Sequence, residues 1–239
     1  MTITSPTNKH ILEARRLTRS SARHESGRFV AEGEDLNEAA AAAGTAAHFV
    51  LCAEGHTGAP ASKDSIEVSA ALMAKISTLG SSSRMIGVYD QSWHAPAGPL
   101  AVALWGVRDP GNIGTILRSA VAFGASSVVL GPGSADPYSP KAVRASMGAI
   151  FTGTLARCGS IAELPGQVVA LVPGAGKALA GPLEGTVTLL LGGEREGLPQ
   201  EILEQCHDIR HIRQLAGDSL NVAMAATVAL YEVTRMAAG

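Results

Sequence analysis

The sequence predicts an α/β protein, with a parallel-sheet domain over residues 99–239 preceded by a small α/β module over residues 1–92. Three observations carry this. Short apolar runs alternate with helix-like segments along the whole chain. The run TVTLLL at 186–191 is apolar on both faces, as a central parallel strand requires. The stretch YDQSWHAPAGPL at 89–100 breaks regular structure at Pro96, Gly98 and Pro99, and marks a linker over 93–98.

In the first half, apolar residues at Ile11, Leu12, Ala14 and Leu17 predict a helix from about Lys9 to Arg23. A strand over 28–33 follows, then the helix EDLNEAAAAAG, rich in strong helix formers and closed by Gly44. Residues 47–54 predict a strand, 69–80 a helix and 84–90 a closing strand. In the second half, strands are expected at 100–107, 126–131, 149–157, 168–173 and 186–193. Helices are expected near 113–123, 139–147, 199–206 and 219–236.

Composition narrows the class. The chain is 46% hydrophobic but only 4% aromatic, which fits close packing through small residues. It contains no uncharged apolar run of the roughly 18 residues a membrane span needs. The segment MTITSPTNKHILEARRL lacks the apolar core of a signal peptide. Cys52, Cys158 and Cys206 are odd in number and far apart, which suits plain thiols in a reducing cytoplasm. The net charge of −2 is unevenly spread: residues 1–31 carry six basic against two acidic groups, and 105–150 four against two. Such clusters suit local phosphate binding, and a solvated basic helix face would look the same.

Three stretches carry the chemistry. In GVRDPGNIGTILRSA, Asp109 is placed to cap a helix, Pro110 suits its first turn, and Gly111 and Gly114 allow close backbone approach. The glycine spacing is not G-x-G-x-x-G, and residues 130–135 offer no acid for a ribose, so a nicotinamide-dependent oxidoreductase is disfavoured. LLLGGEREGLP at 189–199 places Gly192, Gly193, Glu194 and Glu196 in the loop after a parallel strand, where open α/β sheets bind ligands. In IRQLAGDSLNVAMAATVALYEVTR, Asp218 or Ser219 can cap a helix that is apolar nearly all round, hence one buried in a core or across a dimer. Each stretch alone also fits an ordinary turn or core helix. Cys206, His207 and His211 have a spacing that can bind zinc, but no second cluster completes a site and no metal is expected.

Taken together and in this order, DPGNIGTILRSA, LLLGGEREGLP and I…SLNVAMAA resemble the three motifs of the SpoU/TrmH-type RNA ribose 2′-O-methyltransferases of the SPOUT class. SPTNKHILEARRLTRSSARHESGRFVAEGEDLNEA at 5–39 resembles the RNA-binding module that often precedes their catalytic domain. Two departures exist: Ile212-Arg213 stands where the family has Ile-Pro, and LGSSSRMIGVY lacks a proline often found there.

The resemblance implies a parallel sheet whose C-terminal segment forms a trefoil knot. It implies S-adenosylmethionine bound by Val172, Pro173, Gly174, Leu191, Gly192, Gly193, Ile212, Gln214 and Leu220, the glycines leaving space for the cofactor. The implied reaction is attack of a ribose 2′-oxygen on the sulfonium methyl. Asn112, Arg118, Glu194, Ser219 and Asn221 are the implied catalytic set. A guanidinium is a poor base near neutrality, so Arg118 is expected to clamp an RNA phosphate and polarise the hydroxyl rather than take its proton. Arg15, Arg16, Arg23 and Arg28 are the candidates for RNA capture. The implied partners are RNA, 23S-type ribosomal before transfer RNA, and a second copy of the chain joined through the last helix. A catalytically silent RNA-binding relative would have the same fold, but intact Asn112, Arg118, Glu194 and Asn221 argue against it.

Overall fold

A computed structural model describes residues 2–56, 65–78, 83–217 and 219–235. The chain forms two compact units, Met1–Gln91 with Asp136–Thr152, and Ser92–Ala135 with Gly153–Gly239.

The first unit begins with two helices where the periodicity predicts one, α1 (Lys9–Arg16) and α2 (Ser20–Ser26). Asn8 caps α1 by accepting from the His10 N–H. The break has a physical cause in Arg23, which is 3% exposed. Its guanidinium donates to the carbonyls of Leu17 and Thr18, which the end of α1 leaves without helical partners, and pairs with Asp136 at 2.7 Å. Arg23 is therefore corrected from an RNA-capturing residue to a buried structural one. Gly27, at φ +66°, closes α2 in the left-handed conformation.

Strands β1 (Arg28–Glu32), β2 (Phe49–Ala53), β3 (Ser65–Val68) and β4 (Met85–Asp90) form a sheet in the order β1-β4-β2-β3. The β4 pairings are antiparallel and β2–β3 is parallel. Helices α3 (Glu34–Ala42) and α4 (Ala70–Ile76) complete the alternation. Ile11, Leu17, Leu51, Val68, Met73 and Val88 are all but fully buried in its core. The later segment of this unit contributes a helix that packs on β1, described below, and the Tyr138 ring lies 4.8 Å from the Phe29 ring, tilted at 45° to it.

The second unit contains β5 (Leu100–Trp105), α5 (Pro110–Ala122) and β6 (Ser127–Leu130). The chain then supplies α6 (Pro140–Ser146) to the first unit, capped by Ser139. The strand expected at 149–157 is corrected: residues 149–151 form a 3-10 turn, and only β7 (Leu155–Arg157) is extended. Met147 at φ 48° and Gly148 at φ 92° turn the chain and interrupt any strand there. Strands β8 (Gln167–Leu171), β9 (Lys177–Ala178) and β10 (Val187–Gly192), helix α7 (Gln200–Leu203), β11 (Asp208–His211) and α8 (Val222–Thr234) follow. Periodicity did not reveal β3, β9 and β11, which have at most four residues each.

All seven strands of this sheet are parallel, in the order β7-β6-β5-β10-β8-β11-β9. The run at 186–191 lies at its centre as expected, with Val187 to Leu191 buried on both faces. The order reverses beside β5 and β10, so the loops leaving these adjacent strands meet at the crevice where open α/β sheets bind ligands. Helices α5 and α8 pack together, joined by a 2.7 Å hydrogen bond between the Ser119 and Thr227 hydroxyls. The three cysteines are free thiols. Burial and the charge of Glu163 push the Cys158 thiol up to about 11. No described helix is long and apolar enough to cross a membrane.

Candidate active site

The loop after β5 becomes α5 as its residues dictate. Asp109 caps the helix by accepting from the Gly111 and Asn112 N–H groups, and Pro110 occupies the first turn. The loop after β10 folds into a tight turn, Gly193 to Gly197, closed by the Gly197 N–H on the Gly193 carbonyl at 3.0 Å. Two glycines there have a different reason from the expected one. A Cβ on Gly192 would lie 2.4 Å from the Gly197 carbonyl carbon, and one on Gly193 would lie 2.4 Å from the Gly106 carbonyl oxygen. Protein backbone, not ligand, fills that space. Gly174 instead has φ +67° and nothing within 4 Å of a Cβ position.

These turns bring Glu194 to Asn112. The Asn112 Nδ2 donates to Glu194 Oε1 at 2.8 Å, and the backbone N–H groups of Arg108 and Asp109 donate to the same carboxylate at 3.1 and 3.2 Å. Desolvation alone would raise the Glu194 pKa, but these hydrogen bonds outweigh it and hold the carboxyl below its ordinary value. From the other side, the Asn221 Nδ2 donates to Asn112 Oδ1 at 3.2 Å. The expected cap of α8 is corrected: Asn221 caps it, its Oδ1 accepting from the Ala223 and Met224 N–H groups. Asp218 lies outside the described residues, and Ser219 is exposed without a hydrogen bond among them.

The resulting relay runs in one direction, from the amino end of α8 through Asn221 and Asn112 to Glu194. A carboxylate only accepts, so Glu194 fixes Asn112 with Nδ2 toward itself and Oδ1 toward Asn221. That oxygen keeps a second lone pair for an incoming hydroxyl. Glu194→Gln substitutes an amide that cannot accept all three N–H groups and lets Asn112 reverse. Activity should fall about tenfold or more, the scale of one unsatisfied charge-assisted hydrogen bond. The lowered pKa gives the wild-type relay a pH signature. Its contribution is complete above the ordinary carboxylate range, about 4.3, and is lost as pH falls through the depressed folded value. A thermal-stability series at acid pH should show that arm in the wild type and lack it in Glu194→Gln.

Arg118 does not join this relay. It lies six residues beyond Asn112 on α5, about 9 Å along the axis and about 120° around it. It is exposed, with no ion pair or hydrogen bond among the described residues. Of the residues implied for the cofactor, Val172, Pro173, Ile212, Gln214 and Leu220 line one cavity of about 40 Å³ above β8 and β11, with Leu171 and Ala225. Leu191 is buried within the sheet, while Gly193 and Glu194 line a separate cleft of about 670 Å³ on the β5 and β6 side. Sequence reasoning missed that cleft, although Trp105 at the end of a predicted strand and Arg195 between two glutamates were visible signals.

Among the RNA-capture candidates, Arg16 pairs with Glu25, and Arg28 with Glu13 at 2.8 Å. Arg15 is exposed without a side-chain partner among the described residues. The Cys206, His207 and His211 side chains face backbone: His207 accepts from the Val168 N–H, His211 lies 3.1 Å from the Ala175 carbonyl, and Cys206 donates to the Ile202 carbonyl.

Fold and site define an α/β ligand-binding domain with a polar relay at its sheet crevice. The chain belongs to the SpoU rRNA methylase family, whose model matches residues 99–231, more than half of it. It is 30% identical to an uncharacterised tRNA/rRNA methyltransferase of Synechocystis, over 98% of this chain and 93% of that one. It is 37% identical to the 23S rRNA (guanosine-2′-O-)-methyltransferase RlmB of Xanthomonas campestris, over 59% of this chain and 60% of that protein. Among solved structures, an AdoMet-bound rRNA methyltransferase from Sinorhizobium meliloti superposes with a TM-score of 0.84 at 31% identity, covering 98% of this chain and 97% of that one.

Proposed function

We propose that the chain methylates a ribose 2′-oxygen of RNA, 23S-type ribosomal RNA first, with S-adenosylmethionine as methyl donor. The observation that carries this is the relay. Three segments distant in sequence bring Asn112, Glu194 and Asn221 into one directed hydrogen-bond chain at the sheet crevice. Related proteins named as 23S rRNA 2′-O-methyltransferases, and a related structure with AdoMet bound, support the same reading.

The residues above β8 and β11 fit the cofactor in kind. They offer an apolar floor, a Gln214 carboxamide with no partner among the described residues, and open space beside Gly174. A cavity of about 40 Å³ is well below the roughly 300 Å³ of small-ligand sites, so the side chains of Ile212, Gln214 and Leu220 have to move outward to admit a nucleoside. When bound, S-adenosylmethionine supplies an electrophilic methyl group. Asn112 Oδ1 orients the ribose hydroxyl, Glu194 and Asn221 hold that carboxamide, and Arg118 neutralises the adjoining phosphate. The proton passes to phosphate or water. Ser219 holds the RNA beside Asn221, and Arg15, Arg16 and Arg28 of the first unit capture RNA electrostatically.

Arg118 points to a homodimer. On α8 the apolar side chains of Met224, Val228 and Tyr231 are 56, 42 and 57% exposed, a single stripe at i, i+4, i+7 spacing. Covering this stripe with a second copy would bury it and give Arg118 a site to serve in the partner subunit. The knot is proposed as part of the same assembly, formed by the segments that meet around Val172 and Ile212. Calorimetric titration with S-adenosylmethionine tests the cofactor assignment: saturable binding, lost when Gln214→Trp fills the cavity from its rim, is expected. No binding would favour a catalytically silent relative.

A further inference from the structure

The 670 Å³ cleft lies over β5 and β6, across the Glu194 turn from the cavity over β8 and β11. The relay separates the two: Leu220 lines the small cavity, Asn221 follows it, and Glu194 lines the cleft. We propose that this cleft receives the base of the target nucleotide, with Trp105 as its stacking platform, Glu196 facing its N–H edge and Arg195 contacting a flanking phosphate. The proposal rests on the RNA-methyltransferase reading and identifies specificity residues for it.

Four observations carry it. The volume falls in the roughly 300–1,000 Å³ range of nucleoside-sized sites, whereas the cofactor cavity does not. Trp105 is half-buried at the cleft, its ring held against Gly131, where a Cβ would lie 2.4 Å from it. A fixed indole is the side chain on which an unstacked base is best received. The charges are matched to a base rather than to a polyphosphate. Asp109 is engaged in capping and Glu194 in the relay, which leaves Glu196 as the adaptable carboxylate. Its partner Arg108, at 3.2 Å, is about as exposed as it is, so that ion pair exchanges readily with ligand. A carboxylate accepts two adjacent N–H groups best, which guanine presents on its Watson–Crick edge. Finally, Arg195 is exposed and unpaired among the described residues, an uncommitted cation on the rim.

The test uses tryptophan emission and methylation kinetics together. The chain has two tryptophans, so Trp93→Phe leaves Trp105 as the only one. Titrating that protein with the four nucleoside 5′-monophosphates at millimolar concentration should give saturable quenching, strongest with the guanosine nucleotide. Absence of quenching by all four, or equal binding of the uridine nucleotide, overturns the assignment whether or not the protein methylates RNA. In the enzyme assay, with ribosomal RNA from a strain lacking this gene, Trp105→Ala should raise the RNA KM about tenfold, the scale of one stacked base. Trp105→Phe should restore most of it, and both should leave S-adenosylmethionine affinity unchanged by calorimetry. Parallel loss of cofactor affinity, or an unchanged RNA KM, contradicts the proposal. A wild-type protein that quenches with nucleotides but methylates no RNA would refute the functional reading and leave the cleft as a nucleotide site.

Discussion

Mixing Arg118→Ala subunits with Asn112→Ala subunits is expected to restore activity that neither has alone. Each variant by itself should lose about 10²–10³-fold in methyl transfer, the usual cost of removing one preorganised polar contact to a transition state. If Arg118 serves the partner's site, a mixed dimer holds one intact site, with Asn112 from one subunit and Arg118 from the other. Random re-pairing then gives about a quarter of wild-type activity, because half the dimers are mixed and one site in each is whole. If Arg118 acts within its own chain, every site in the mixture lacks one residue and activity stays at the level of the variants. The geometry favours the first result. Asn112 is bonded to Glu194 and Asn221, while Arg118 is displaced around α5 and free of partners among the described residues.

A charge on the α8 stripe should have a comparable effect by a different route. Met224→Glu with Val228→Lys alters two exposed side chains, so the fold of the single chain should be kept and circular dichroism unchanged. Burying those charges in an apolar interface is costly, and the protein should become monomeric by light scattering. Methyl transfer should fall about as far as in Arg118→Ala, because the partner's arginine is lost with the partner. A charged variant that remains dimeric, or a monomer with wild-type activity, would refute the dimeric site.

Much of this was legible in the sequence. The β10 run, apolar on both faces, reads as a central strand, and Asp109-Pro110 suits the opening of a helix, as the structure shows for both. Both followed from local chemistry. Asn112, Glu194 and Asn221 were legible as a set only through the family resemblance of their motifs, and their relay was not, because it joins residues 82 and 109 positions apart. Arg23 shows the opposite failure. As one of six bases in a basic segment it resembled a surface residue, whereas its function is to satisfy Leu17 and Thr18 carbonyls at a helix break. Only its pairing with Asp136, 113 positions away, reveals this. The helix at 140–146 was legible too, but not that it belongs to the first unit. At Gly192 and Gly193 the structure shows close backbone approach, which a sequence cannot distinguish from room for a ligand.

The central claim is transfer of a methyl group to a ribose oxygen of RNA. Incubating the purified protein with methyl-labelled S-adenosylmethionine and ribosomal RNA from a strain lacking the gene, then digesting the RNA to nucleosides, tests it most directly. The label is expected in a single 2′-O-methylnucleoside, absent with Arg118→Ala. Label on a base, or no label in RNA from a protein that binds the cofactor, would contradict it.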